Sequence, residues 1–150
     1  MNYIRPAVES DGSRIAEIII KNFRINFYPF FQNDEFYYKE LNVVNMVSEY
    51  SKGSSALKNT FVYDDGIVKG ILCINDKEIE KLYVEPQFQS QGIGADLLKF
   101  AVEKRNVQFL WVLEYNKRAI EFYQKHEFQL TDEKIIEDEF VPLLKMILKR

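Results

Sequence analysis

LYVEPQFQSQGIGADLL, Leu82 to Leu98, carries an apolar run that stops at Val84 into a helical repeat that starts at Ile93, through a turn with two glycines one residue apart. Downstream, Ile93, Leu97, Leu98, Ala101 and Val102 fall on one face of a helix that fades near Asn106. A strand delivered straight onto a helix N-terminus exposes free backbone N–H groups and the positive end of the helix dipole, which together suit a pyrophosphate. Gly92 and Gly94 remove side chains that would hold such a ligand away. Leu97 stands where a dinucleotide fingerprint needs its third glycine, and no Gly-Lys-Ser/Thr is present, so neither a Rossmann nor a Walker loop is supported. Taken alone, the turn is equally an ordinary strand-to-helix connection.

Working outward, FVYDDGIVKGILCI (Phe61 to Ile74) is two β-rich runs around Asp65-Gly66, a pair suited to a tight hairpin. A second turn at Asn75-Asp76 leads into EIEKLYV, Glu78 to Val84, as the third strand of a meander. Further upstream, NYIRPAVESD predicts a short strand and a polar turn, and Ile15, Ile18, Ile19 and Phe23 recur at helical spacing after a cap at Asp11. FRINFYPFFQ is broken by Pro29, and EFYYKELNVVNMV reads as one second helix, closed by the polar loop SKGSS. On the other side, VQFLWVLEY is a nearly all-apolar strand, NKRAIEFYQKHEF a helix, and FQLTDEK with FVPLLKMILK two closing strands. The expectation is one domain over 1–150 of class α+β, a mixed, mostly antiparallel sheet in the order β-α-α-β-β-β-α-β-α-β-β.

A formal charge of −3 and a pI near 5.3 lack the basic footprint of a nucleic-acid binder, so no nucleic-acid partner is expected. No apolar run approaches a membrane span and no signal-peptide pattern opens the chain, so no membrane partner is expected and a cytoplasmic location is. With one cysteine, Cys73, and one histidine, His126, neither a disulfide framework nor a Cys/His zinc site can form, and no metal is expected. A Cys73/His126 catalytic pair is conceivable, but a lone cysteine in an apolar strand reads as a small buried hydrophobe, and both residues are read as structural.

The whole of Leu82 to Leu98 resembles the acetyl-CoA-binding motif of the GCN5-related N-acetyltransferase (GNAT) family, a strand ending in valine followed by Gln/Arg-x-x-Gly-x-Gly/Ala at a helix start. YNKRAIEFYQKHEF resembles the family's later stretch at Asn116, Ala119 and Tyr123, with Glu127 in place of the usual glycine before Phe128. The resemblance implies the GNAT-like acyl-CoA acyltransferase fold, with helices on both faces of the sheet. It implies acetyl-CoA as acyl donor and transfer to a primary amine by direct attack in a ternary complex, and it allows a homodimer. It places the backbone of Leu82, Tyr83 and Val84 along the pantetheine arm and the pyrophosphate on Gln89, Ser90, Gln91, Gly92, Ile93, Gly94 and Ala95. It sets Asn116 near the thioester and Tyr123 at the sulfur. The loop lacks the Lys or Arg of many members, which leaves Lys117, Arg118 and Lys125 as outlying charges for the nucleotide end.

An alkyl amine titrates near about 10 and arrives protonated, so a carboxylate acting directly or through water could take its proton, with water alone as the alternative base. Glu78 and Glu80 are the candidates, Glu78 first. Strand alternation sets them on one face with Leu82 and Val84 unless a bulge intervenes. For the developing oxyanion, a backbone N–H near Val84 is better placed than any side chain. With a thiol near about 8.5 and a phenol near about 10, full proton transfer from Tyr123 to the thiolate is uphill by about 2 kcal/mol, which favours hydrogen bonding with partial transfer. Phe27, Tyr28, Phe30, Phe31, Phe36, Tyr37 and Tyr38 supply either an aromatic acceptor slot or core. The acceptor stays open among a small amine, an amino acid, a polyamine and a protein amine. The alternatives are a non-catalytic acyl-CoA-binding or regulatory domain and a protein-interaction module using the aromatic segment.

Overall fold

The computed structural model describes residues 2–149. The chain runs β1 (Ile4–Pro6), α1 (Gly12–Asn26), α2 (Tyr28–Phe31), α3 (Val43–Val47), α4 (Ser55–Lys58), β2 (Thr60–Asp64), β3 (Val68–Asn75) and β4 (Glu78–Val84). It continues through α5 (Ile93–Arg105), β5 (Phe109–Leu113), α6 (Lys117–Lys125), β6 (Phe128–Glu137) and β7 (Val141–Leu148). Gly66, at φ +115, turns the expected β2–β3 hairpin, with its N–H held by the Asp64 carboxylate at 2.9 Å. The sheet order is β1-β2-β3-β4-β5-β7-β6, antiparallel throughout except for β4 beside β5. The expected order of elements holds, apart from the second helix.

The apolar stripe of α1 buries Ile15, Ile18 and Ile19 against Val62, Ile71 and Cys73 on one face of the sheet. On the other face, Ile93, Leu97, Leu98 and Ala101 of α5 and Tyr123 of α6 pack on Leu72, Ile79, Val84 and Leu110. At about 25 cal/mol per Å² of apolar surface, these two layers are the main source of stability. Gly70 lets α5 approach β3, since a Cβ there would lie 2.9 Å from the Leu97 side chain.

Three local expectations are corrected. EFYYKELNVVNMV is not one helix. A wide turn over Phe36–Glu40 closes with the Leu41 N–H on the Phe36 carbonyl at 2.8 Å, and Asn42 then leaves helical geometry to cap α3 by accepting from the Asn45 N–H. Asparagine competes with the helix backbone for hydrogen bonds, so it restarts the helix here rather than continuing it. SKGSS is a loop only as far as Ser54, whose hydroxyl caps the short α4 at the Leu57 N–H. Asp11 does not cap α1 through its side chain: its carboxylate turns back to take Arg5 Nη1 and Nη2 at 2.8 and 3.0 Å and the Val8 N–H at 2.8 Å.

The fourth correction bears on the site. Cys73 pairs with Lys81 but Ile74 pairs with Ile79, so Glu80 is the extra residue of a β-bulge. Residues directly opposite across an antiparallel pair share a face, so Glu78, opposite Asn75, lies on the α1 face with Lys81 and Tyr83, while Ile79, Leu82 and Val84 face α5. The expected common face of Glu78, Glu80, Leu82 and Val84 does not exist.

β4 and β5 are paired only at Glu78–Phe109 and Ile79–Leu110, and then part. The far end of β4 is drawn to α1: buried Glu85 accepts from Arg14 at 2.7 Å and Lys21 at 3.0 Å. Asn22, 3% exposed, gives Nδ2 to the carbonyls of Ile18 at 2.9 Å and Val84 at 3.1 Å. Gln89 adds a second donor to the Val84 carbonyl at 3.2 Å. β5 meanwhile stays with β7 along its whole length.

Asn22→Leu should lower stability in urea unfolding by about 2 kcal/mol, because the Val84 carbonyl loses its buried donor; Gln89→Ala should cost less, because Asn22 remains. Glu127 holds the left-handed geometry, φ +73, that a glycine would adopt without strain. Glu127→Gly should therefore raise stability by about 0.5–1 kcal/mol in the same measurement, relieved strain outweighing the added freedom of the unfolded chain.

Candidate active site

Where β4 and β5 part, a cleft of about 1040 Å³ passes through the sheet. Its walls hold Leu82, Tyr83 and Val84 of β4 and Leu110 to Leu113 of β5, with Asn22, Phe23 and Phe27 from α1 and its end and Ala119, Phe122 and Tyr123 from α6. The Glu85 N–H bonds the Lys69 carbonyl on the β3 side at 2.8 Å. By alternation, the N–H groups of Leu82 and Val84 then point to the opposite edge, into the gap that β5 has vacated.

At one end of the cleft lies the glycine turn. Gly92 takes φ +88 as the residue preceding α5, and a Cβ there would touch nothing within 4 Å, so the position demands conformation rather than space. Gly94 packs on α6, where a Cβ would stand 3.5 Å from Phe122. The Asp96 N–H is the first in α5 to find an acceptor, the Gly92 carbonyl at 3.0 Å; those from Ser90 to Ala95 have none among the described residues. These free donors and the dipole of α5 make an anion cradle, and Ser90, Gly92, Gly94 and Ala95 line the cleft. The missing basic side chain comes from another element: Arg118 of α6 approaches the Ser90 hydroxyl at 3.5 Å, and Lys125 lines the same wall.

Of the residues singled out in the sequence, the structure brings Glu78, Glu80, Leu82, Tyr83, Val84, Gln89, Ser90, Gly92, Gly94, Ala95, Asn116 and Tyr123 to this cleft. Gln91 is exposed outside it, and Ile93 is buried against the core with only its backbone available to the turn. Gln89 turns its side chain inward to Val84 and Asn22, away from an anion role. Asn116 caps α6, its Oδ1 accepting the Ala119 N–H at 3.1 Å. Of the aromatic segment, Phe27 lines the cleft, Tyr37 is core, and Phe30, Phe36 and Tyr38 are exposed.

Tyr123 is 8% exposed, and its hydroxyl, which bonds no described residue, opens on the cleft rather than lying buried without a partner. Burial pushes its titration well above the ordinary phenol range, and Tyr83 is raised likewise, by burial first and then by the charge of neighbouring groups, Tyr123 among them. Both phenols therefore stay protonated and act as donors. Glu78 is raised by desolvation and by Glu80, against the opposing pull of Lys145, which favours proton uptake. Cys73 and His126 are apart in role and place. Cys73 is buried on the α1 face beside Thr60 at 3.2 Å, and His126 ends α6 with Nδ1 on the Phe122 carbonyl at 2.9 Å.

Asn22 was missed by sequence reasoning. Its signal was present: with Ile15, Ile18, Ile19 and Phe23 it completes the helical stripe of α1, and a polar residue at a core position calls for a buried partner. Trp111 and Glu137, also on the cleft, left no such signal.

The family model described as the acetyltransferase (GNAT) domain matches residues 56–130, half of the chain. An uncharacterised N-acetyltransferase of Methanocaldococcus jannaschii is 40% identical over 35% of this chain and 25% of its own length. The chain spans well under half the length of the curated relatives it matches. The solution structure of apo YjaB from Escherichia coli superposes with a TM-score of 0.76 at 20% identity, covering 96% of this chain and 95% of that one. An N-acetyltransferase of Thermoplasma acidophilum, solved in complex with coenzyme A, gives 0.63 at 21% identity over 95% and 96% of the two chains. With the parted strands, the glycine turn and the matched domain together, this chain belongs to the GNAT acetyltransferase family.

Proposed function

We propose that this chain binds acetyl-CoA in the cleft between β4 and β5 and transfers the acetyl group directly to a primary amine held beside it. The observation that carries the reading is the parting of β4 from β5 after two paired residues, which frees the inward N–H groups of β4 between an anion cradle and a buried phenol. The backbone of Leu82 to Val84 pairs with the pantetheine arm as β5 would have done. The N–H groups from Ser90 to Ala95, with Arg118 and Lys125, hold the pyrophosphate end. Asn116 lies beside the thioester end, its Oδ1 committed to the cap. Coenzyme A bound to the Thermoplasma relative of the same fold supports the donor.

Each chemical demand of acyl transfer then has a residue. Glu78, with its raised proton affinity, accepts the proton of the incoming ammonium, directly or through water; Glu80, on the bulge, tunes it by repulsion. The Val84 N–H donates to the oxygen on which negative charge develops, and Asn22 and Gln89 steady the strand just after it by holding the carbonyl of the following peptide, Val84–Glu85. Tyr123 hydrogen-bonds the leaving thiolate. Its raised titration makes full transfer more uphill than for a free phenol, so donation without transfer is its role.

Isothermal titration should show acetyl-CoA binding at low salt; its absence removes the assignment. Tyr123→Phe should lower kcat about tenfold to a hundredfold with acetyl-CoA affinity nearly unchanged, and unaltered turnover would make the residue structural. In a kcat/KM–pH profile, activity should fall on the acid side as Glu78 takes up its proton, at a pH above the ordinary glutamate range. Glu78→Gln should remove that limb, and Glu80→Gln should move it to lower pH by lifting the repulsion.

A further inference from the structure

Where the cleft opens, β4 keeps a strand partner on one side only, so β5 does not set where its last residues lie. Something else has to, because an N–H group serves a reaction only when it is held in one place. A carboxylate stands at that point. Glu85 follows β4 directly, is 5% exposed, and turns its side chain to α1, where its Oε1 accepts from Arg14 Nη1 at 2.7 Å and from Lys21 Nζ at 3.0 Å.

A buried ion pair is costly to desolvate, and a well-packed apolar side chain in its place is often as stable. What the pair supplies is one geometry. Arg14 and Lys21, with Asn22 beside Lys21, stand two turns apart on α1, so one side of the helix delivers all three donors to Val84 and Glu85. Arg14 is fastened to β3 as well, its Nε donating to the Val68 carbonyl at 2.9 Å, and the neighbouring Lys69 carbonyl takes the Glu85 N–H at 2.8 Å. Pro86 holds Glu85 itself extended, at φ −50 and ψ 129. The Val84 carbonyl, the Glu85 N–H and the Glu85 carboxylate are thus all claimed, while the Val84 N–H is left to the cleft.

We propose that Glu85 is a positioning residue for the transfer step: its ionic tie to Arg14 and Lys21 fixes the end of β4 so that the Val84 N–H meets the developing oxyanion. This rests on the transferase reading above. The tie lies at the last residues of β4, whereas the anion cradle and the cations of α6 lie elsewhere. Its loss therefore acts on turnover far more than on donor binding.

The test is steady-state thiol release from acetyl-CoA, with isothermal titration of acetyl-CoA beside it. The amine is whichever of butylamine, 1,4-diaminobutane, lysine and a blocked lysine peptide the wild-type protein turns over fastest. Glu85→Gln should lower kcat by about tenfold to thirtyfold and leave the acetyl-CoA Kd within about twofold. The variant strands no charge, because Arg14 keeps Glu17 and the Lys21 side chain is 46% exposed. Lys21→Met, which removes one of the two cations from that exposed position, should lower kcat by about threefold. Asp64→Asn breaks the Arg5–Asp64 pair on β2, at 3.0 Å, and should leave kcat unchanged. Wild-type kcat in Glu85→Gln or in Lys21→Met overturns the proposal and leaves the transferase reading standing. So does a fall in acetyl-CoA affinity as large as the fall in kcat, or an equal loss of kcat in Asp64→Asn. A wild-type protein inert toward every amine overturns both.

Discussion

The site depends on one withheld interaction: β5 leaves β4 after Ile79–Leu110. A central strand with one edge unpaired carries N–H and C=O groups that must be satisfied, and burial without partners would be costly. The chain meets part of this demand itself, since Asn22 and Gln89 take the Val84 carbonyl. The N–H groups on that edge are left facing a cleft, and in the proposed reading the amide-rich arm of the donor completes the sheet. Stability and binding are therefore two uses of one edge.

The sheet and most of its order were legible because strand and hairpin signals are local. Asp65-Gly66 needs only its own φ angles, and the repeat from Ile93 to Val102 needs only one apolar neighbour layer. What escaped depends on partners distant in the chain. The bulge at Glu80 is a property of two strands in register, so alternation along β4 alone put Glu78 on the wrong face. Asp11 was read as a cap because Arg5 could not be seen to claim its carboxylate. The broken second helix shows the opposite failure, an apolar pattern trusted over Asn42, whose side chain had the local chemistry to restart a helix.

The site divided in the same way. The glycine turn and Tyr123 are carried by a short motif and were legible. Arg118 was legible as an outlying charge for the nucleotide end, but its approach to Ser90, across 28 residues of sequence, was not. A cradle built from backbone groups with its cation on another helix makes the proposed phosphate contact depend on the α5–α6 packing, where Gly94 lies against Phe122.

Cys73 has a consequence outside the chemistry of the site. It is the sole thiol of the chain, 6% exposed, and burial raises its titration above the ordinary range, so it holds little thiolate and meets little reagent. A disulfide dye added to the folded protein therefore has one fast-reacting sulfur to find, the one set free from the donor. The protein's own background is dark as long as it stays folded, and a slow drift of colour without an amine reports unfolding rather than turnover.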